Sequence, residues 1–231
     1  MKKDTRLSDE AIELLNSKGY ALLPSVLSEM ECNSLIHQYD NPEIYRSVIN
    51  MQRYRFGRGE YKYYRYPLPD LVQELRNSFY APLANVANKW MQALNVKMSF
   101  PSSHSAFIKK CHTNNQLRPT PLILKYESGD FNTLHQDLYG EVYFPFQVII
   151  ILTQQGRDHT GGELVLTEQI PRAQSKATVL KPNQGDAVII TTNFRPVLGT
   201  RGYYRSTVKH GVSEVTSGNR YTLGIIFHDA T

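Results

Sequence analysis

Four residues of the chain have the types and the spacing of a redox metal site with an anion anchor. In Leu134-His135-Gln136-Asp137 an imidazole and a carboxylate stand two apart. On an extended strand such residues point to one side, so His135 and Asp137 are expected to converge on one ion while Gln136 faces away. His210, 73 residues after Asp137, lies in the strand-like stretch Thr207-Val208-Lys209-His210-Gly211-Val212 and is the expected third ligand. Two imidazoles and one carboxylate on one face of an ion leave three positions open. That arrangement suits non-haem iron(II) that must bind an organic chelate and O2. Arg220 follows His210 by ten residues, and Thr222 shares its face by the same two-residue period. A guanidinium fork beside a hydroxyl is a good buried receptor for a carboxylate, which would be costly to bury without such a partner. A hairpin through residues 214–219 is expected to lay the His210 and Arg220 strands side by side.

Each fragment alone is weak. An isolated His-x-Asp arises often by chance, a lone histidine is commonly surface or satisfied core, and an arginine at a strand start is usually solvated. The weight lies in the joint order: His-x-Asp after a strand and a turn, then a distant His, then Arg-x-Thr opening an apolar strand.

The elements that must position these residues fall into two halves. The first third reads helical. Ser8 is placed to cap a helix that Gly19 stops. Ser28-Glu29-Met30-Glu31 has the form of a capping box. Residues 71–94 carry Leu71, Leu75, Phe79, Leu83, Val86, Trp90 and Leu94 at helical spacing, with Pro82 expected to divide them into two helices. The second half reads as strands at 122–126, 146–152, 163–167, 177–180, 187–192, 206–212 and 220–227, separated by Gly-, Asn- and Pro-rich turns. Short strands at this spacing suggest an antiparallel sandwich or barrel. The expected organisation is one domain over 1–231, with 1–120 as mostly helical support and substrate-side segment and 121–231 as the catalytic core.

The 231 residues are 41% hydrophobic and 20% charged, values that suit a globular chain able to bury a core without staples. Two cysteines, Cys32 and Cys111, are too few for a disulfide scaffold or a zinc ribbon. No apolar run follows Met1-Lys2-Lys3-Asp4-Thr5-Arg6 and none is long enough to span a bilayer, so the expectation is a cytoplasmic protein without a membrane partner. The net charge of +5 fits an anionic partner.

The order and spacing of the site residues resemble the 2-oxoglutarate/iron(II) dioxygenase superfamily over residues 121–227. That resemblance implies a mainly β fold with added helices, the double-stranded β-helix (jelly roll, cupin-like), and Fe(II), 2-oxoglutarate and O2 as cofactor and co-substrates. The whole chain further resembles a bacterial branch of AlkB-related oxygenases, linked to oxidative demethylation of alkylated nucleic acid. Tyr126-Glu127-Ser128-Gly129, Leu134-His135-Gln136-Asp137, Gly161-Gly162-Glu163-Leu164 and Lys209-His210-Gly211-Val212 carry this likeness. It implies that the Tyr126 hydroxyl bonds the co-substrate whose far carboxylate meets Arg220. Leu124, Ser128, Thr222 and Ile226 stand where the AlkB type carries Asn, Pro, Asn and a second Arg. Gly161 and Gly162 also have a local reason, a tight turn with positive φ.

Two segments are candidates for choosing the substrate. Residues 53–66 contain Arg53, Arg55, Arg58, Lys62 and Arg65 among six aromatic residues. Basic groups neutralise phosphates and flat rings stack on bases. The alternative is a strand packed over the barrel mouth, with Tyr61 and Tyr63 inward and Lys62 outward. A second basic region, from Arg195 through Arg201 and Arg205 to Lys209 with Tyr203 and Tyr204 between, is expected to form a loop at the rim of the site. His104, His112, His159 and His228 are not required. The functions in view are an oxygenase of an alkylated nucleobase and, alternatively, a hydroxylase of a protein side chain or small metabolite resembling prolyl- or phytanoyl-hydroxylases. A non-catalytic jelly-roll binding module is disfavoured by the complete set of ligands.

Overall fold

The computed structural model describes residues 7–231; residues 1–6, where no leader was expected, lie outside them. The chain opens with helix α1 (Asp9–Lys18). The Ser8 side chain accepts from the Ala11 amide, and Gly19 ends the helix in the left-handed conformation at φ 77°. Strand β1 (Tyr20–Leu23) and helix α2 (Glu29–His37) follow, the latter with both hydrogen bonds of the Ser28–Glu31 capping box in place. Strands β2 (Tyr45–Asn50), β3 (Gly57–Arg58) and β4 (Glu60–Tyr64) come next, so the N-terminal half supplies strands as well as helices. They precede helices α3 (Asp70–Ala93) and α4 (His104–Thr113). The rest is strands: β5 (Leu122–Tyr126), β6 (Phe131–His135), β7 (Phe146–Ile151), β8 (His159–Gly161), β9 (Leu164–Gln169), β10 (Lys176–Leu180), β11 (Ala187–Thr191), β12 (Phe194–Gly199), β13 (Gly202–Val212), β14 (Val215–Gly218) and β15 (Arg220–Ile226).

Two antiparallel sheets face each other as a double-stranded β-helix. The larger runs β1-β11-β7-β15-β5-β4-β2, and the smaller runs β10-β9-β13-β6-β3. Leu164 and Leu166 of the smaller sheet pack on Val188 and Ile190 of the larger across the interior. The larger sheet is covered on both faces, which is why β7 reads as an unbroken apolar run. Val148 and Ile150 join the core shared with α3, while Gln147 and Ile149 line the interior cavity. The same alternation on β15 sends Leu223 and Ile225 to the helices and Arg220, Thr222 and Gly224 to the cavity.

The structure corrects two expectations. Residues 70–93 form one helix with Pro82 inside it. An internal proline costs about 3 kcal/mol, but each fully buried large apolar side chain contributes about 1.5–3 kcal/mol. Leu83, Val86, Trp90 and Met91, all buried beyond the proline, outweigh it. The turn at 214–219 does not form a hairpin between neighbouring strands either. β13 belongs to the smaller sheet and β15 to the larger, and β14 between them pairs with β8. A turn-rich stretch marks a change of direction, not which layer the next strand joins.

Candidate metal centre

The site begins at the end of β6. The Thr133 amide and hydroxyl both donate to the Phe56 carbonyl, tying this strand to β3 beside it. His135 Nδ1 lies 2.7 Å from the Thr133 carbonyl. A carbonyl only accepts, so Nδ1 carries the proton and Nε2 keeps its lone pair for a metal. His210 is the direct cross-strand partner of His135, their ring centroids 4.2 Å apart. Asp137 Oδ1 stands 3.6 Å from His135 Nε2, and its Oδ2 stands 3.3 Å from His210 Nε2. One ligand atom from each of the three lies within 4.8 Å of the others, and among the described residues no other His, Cys, Asp or Glu group of three does so. Gln136 turns aside, donating to the Asn193 and Val208 carbonyls and so clamping β13 two residues before His210. Gly211 lets the strands close, since a β-carbon there would stand 2.7 Å from the Asn132 carbonyl oxygen.

Electrostatics suit a cation. Burial opposes ionisation of Asp137, but the imidazoles of His210 and His135 and the Tyr139 hydroxyl outweigh it and hold the carboxyl well below the usual range. Burial, and then the neighbouring His210, lower the His135 imidazole, which favours the neutral ligand form.

On the facing sheet, Arg220 pairs in register with Tyr126, and its guanidinium sits 5.5 Å from that ring. Thr222 lies one step further along the same face, opposite Leu124. Arg220 is only 2% exposed, and its Nη1 has no hydrogen-bond partner. A buried cation in this state calls for an anion. Burial pushes the Tyr126 phenol up to about 12, so it remains a neutral hydroxyl; it accepts from Asn132 Nδ2 at 3.3 Å. Triad, Arg220, Thr222 and Tyr126 all line one cavity of about 170 Å³. A hard divalent ion fits the N2O donor set, and a dicarboxylate chelating it fits the unpaired guanidinium.

Alternation did not reveal every cavity residue. Tyr139 continues the two-residue step of His135 and Asp137; Asn132 does not follow from that step. Four residues of β6, Asn132 to His135, oppose three of β13, His210 to Val212, and this bulge turns both Asn132 and His135 inward against the period of two. Gly162 does more than turn: its φ is +70°, and the Arg220 side chain lies against it.

The basic segments divide. In 53–66 the strand reading holds for β4, whose Tyr61 lines the cavity and whose Tyr63 is buried. Lys62 is engaged, donating to the Tyr39 carbonyl at 3.1 Å and lying 3.9 Å over that ring. Arg53, Arg55, Arg58 and Arg65 remain exposed. Between the first two and Gly57, Tyr54 and Phe56 stack at 5.6 Å and 19°, though 56% and 46% exposed, and Phe56 lines the cavity mouth. The region from Arg195 to Lys209 is no loop but the β12–β13 hairpin. Arg195 is buried against Glu168 at 2.8 Å, and Arg205 and Lys209 point to the face opposite His210 because the strand alternates. The four histidines not required at the site bond within the fold: His104 to the Phe227 carbonyl, His112 to Asp229, His159 to the Gly161 carbonyl and His228 to the Phe144 amide.

Residues 59–230 match the model of the family Oxygenase-NA, described as an oxygenase catalysing oxidative methylation of damaged DNA. Over 164 residues the chain is 44% identical to an uncharacterized protein of Mycobacterium tuberculosis, covering 71% of this chain and 70% of that one. A prolyl-4-hydroxylase of Pseudomonas putida superposes with a TM-score of 0.54 at 12% identity, over 96% of this chain and 98% of that one. An oxidoreductase of the 2OG-Fe(II) oxygenase family from Burkholderia pseudomallei gives 0.53 at 14%, over 98% and 95%. At these identities the two structures share the fold. No helix among the described residues is long and apolar enough to cross a membrane.

Proposed function

This chain belongs to the Oxygenase-NA family, and from that premise we propose that it is a 2-oxoglutarate-dependent iron(II) dioxygenase that removes alkyl groups oxidatively from bases in DNA or RNA. When bound, iron and 2-oxoglutarate supply the oxidising chemistry, consuming O2 and releasing succinate and CO2. In this reading His135, Asp137 and His210 hold the iron. Arg220 grips the far carboxylate of 2-oxoglutarate through its fork, with Thr222 and the Tyr126 hydroxyl as further hydrogen-bonding groups. The apolar walls Leu122, Leu124, Ile149 and Leu164 exclude water from the reacting end.

The observation that carries the reading is the buried, unpaired guanidinium of Arg220 facing the His135–Asp137–His210 cluster within one cavity. For the substrate, support comes from the stacked Tyr54–Phe56 pair at the mouth and its flanking arginines. Exposed rings of this kind suit a flipped or single-stranded base. The apolar walls favour a second reading, hydroxylation of a protein side chain or small metabolite.

The test is turnover with Fe(II), 2-oxoglutarate and N-methylated single-stranded oligonucleotides beside a panel of peptides and metabolites. The expected result is succinate and formaldehyde in step with loss of the methyl group, absent in Asp137→Ala. Stimulation by peptides or metabolites alone would remove the nucleic-acid substrate and leave the second reading.

A further inference from the structure

The loop after β6 places a third side chain on the metal-facing row. Tyr139 donates to Asp137 Oδ1 at 2.6 Å. The other oxygen, Oδ2, faces His210 Nε2 at 3.3 Å. We propose that Tyr139 is a positioning residue whose hydroxyl occupies Oδ1, so that Asp137 meets the metal through Oδ2 alone. This rests on the reading of His135, Asp137 and His210 as the ligands.

The consequence is a matter of coordination number. A carboxylate can bind a divalent ion through one oxygen or through both. Two imidazoles and a single carboxylate oxygen leave three positions, two for a chelating co-substrate and one for O2. A bidentate Asp137 would take one of these. A hydroxyl-to-carboxylate bond is charge-assisted and roughly twice as strong as a neutral one, so it competes well for Oδ1.

Tyr139 is itself held. Its carbonyl accepts from the Thr231 amide, and its ring stands edge-on to Tyr63 at 6.1 Å and lies 5.9 Å from His228. Tyr63 in turn lies under the Arg46 guanidinium at 4.3 Å, and Arg46 Nε donates to the Pro119 carbonyl. A side chain braced by the C-terminus, a neighbouring strand and an arginine cannot readily swing away from Asp137.

The experiment uses the full chain with Co(II) as the probe, read by calorimetry, by the visible cobalt spectrum and by a crystal structure of the Co(II) form. Tyr139→Phe is expected to weaken Co(II) about 10–100-fold, the usual effect of losing an outer hydrogen bond to a ligand. Its visible bands should shift as the freed Oδ1 takes one of the three open positions. Tyr80→Phe removes a buried hydroxyl that has no hydrogen-bond partner and lies away from Asp137, so affinity and spectrum should stay as in the unaltered protein. In the Co(II) crystal one Asp137 oxygen should lie at about 2.0–2.2 Å from the ion. Two coordinating oxygens, an unchanged affinity and spectrum in Tyr139→Phe, or an equal loss in Tyr80→Phe would each overturn the proposal while the ligand assignment stands. Should Tyr139→Phe not fold, the crystal geometry of the unaltered protein decides. Co(II) binding undisturbed by Asp137→Ala would instead remove the ligand assignment, and the role of Tyr139 with it.

Discussion

The side chain of Arg220 runs across the backbone of Gly162 so closely that a β-carbon there would stand 2.7 Å from Arg220 Cδ and 3.3 Å from its Nε. Turn and anchor are therefore one unit. Charge-assisted hydrogen bonds contribute about 1.5–3 kcal/mol, so Arg220→Ala should weaken 2-oxoglutarate roughly 10–100-fold. Gly162→Ala should weaken it less, by displacing the guanidinium. Both variants should bind Mn(II) normally. Calorimetric titration of 2-oxoglutarate into the Mn(II) form checks this, and unchanged affinity in Arg220→Ala would put the anchor elsewhere.

Single-stranded DNA binding should fall with salt. Each phosphate contact removed lowers the log–log slope by about 0.7, so Arg53→Gln with Arg55→Gln should reduce it by about 1.4. Tyr54→Ala and Phe56→Ala should each lose about 1–3 kcal/mol if each ring stacks on one base, with the slope intact. Fluorescence anisotropy across a salt series separates the two effects. A flat salt response would argue against phosphate contacts altogether.

Acid should destabilise the fold through His104. Burial first, and the Arg76 charge second, lower its imidazole to about 3 in the folded chain; unfolded it titrates near ~6.5. Between these values the unfolded chain binds a proton that the folded chain refuses. Stability therefore falls as pH falls from about 6.5 toward 3, by at most ~1.4 kcal/mol per pH unit. His104→Gln, which keeps a donor for the Phe227 carbonyl, should flatten that slope in urea denaturation at a series of pH values. An unchanged slope would acquit His104.

Arg76 and Asp229 form a fully buried ion pair at 2.8 Å, and Arg76 also donates to the Ile226 and Phe227 carbonyls. Arg76→Met would leave the buried Asp229 carboxylate with only the Tyr66 hydroxyl and the His112 imidazole as partners, a loss of about 3–5 kcal/mol. Replacing Asp229 by Leu as well should recover part of it. Chemical denaturation of the single and double variants measures both.

The convergence of His135 and Asp137 was legible because the two-residue period of extended backbone is a matter of covalent geometry: they share a side although Asp137 lies just past the end of β6. The caps at Ser8 and Ser28 were legible for the same kind of reason, since their hydrogen bonds are local. What the residues did not show was long-range. Nothing near 214–219 tells that the chain changes sheets there. Nothing near Arg195 announces its burial against Glu168, and Asn132 enters the cavity only because its strand bulges against a partner far along the chain. Pro82 misled because a local breaking signal was weighed without the tertiary burial that overrides it.

Because the histidines belong to one layer and Arg220 to the opposite one, a dicarboxylate reaching from a bound ion to the guanidinium would be a strut across the sandwich. Loading it should pull the layers together and stiffen strands far from any atom it touches. Conversely, a substitution that widens the gap between layers, such as a bulkier residue in the Leu164–Ile190 contact, would stretch that reach and slacken the grip on the co-substrate without altering a single group that touches it.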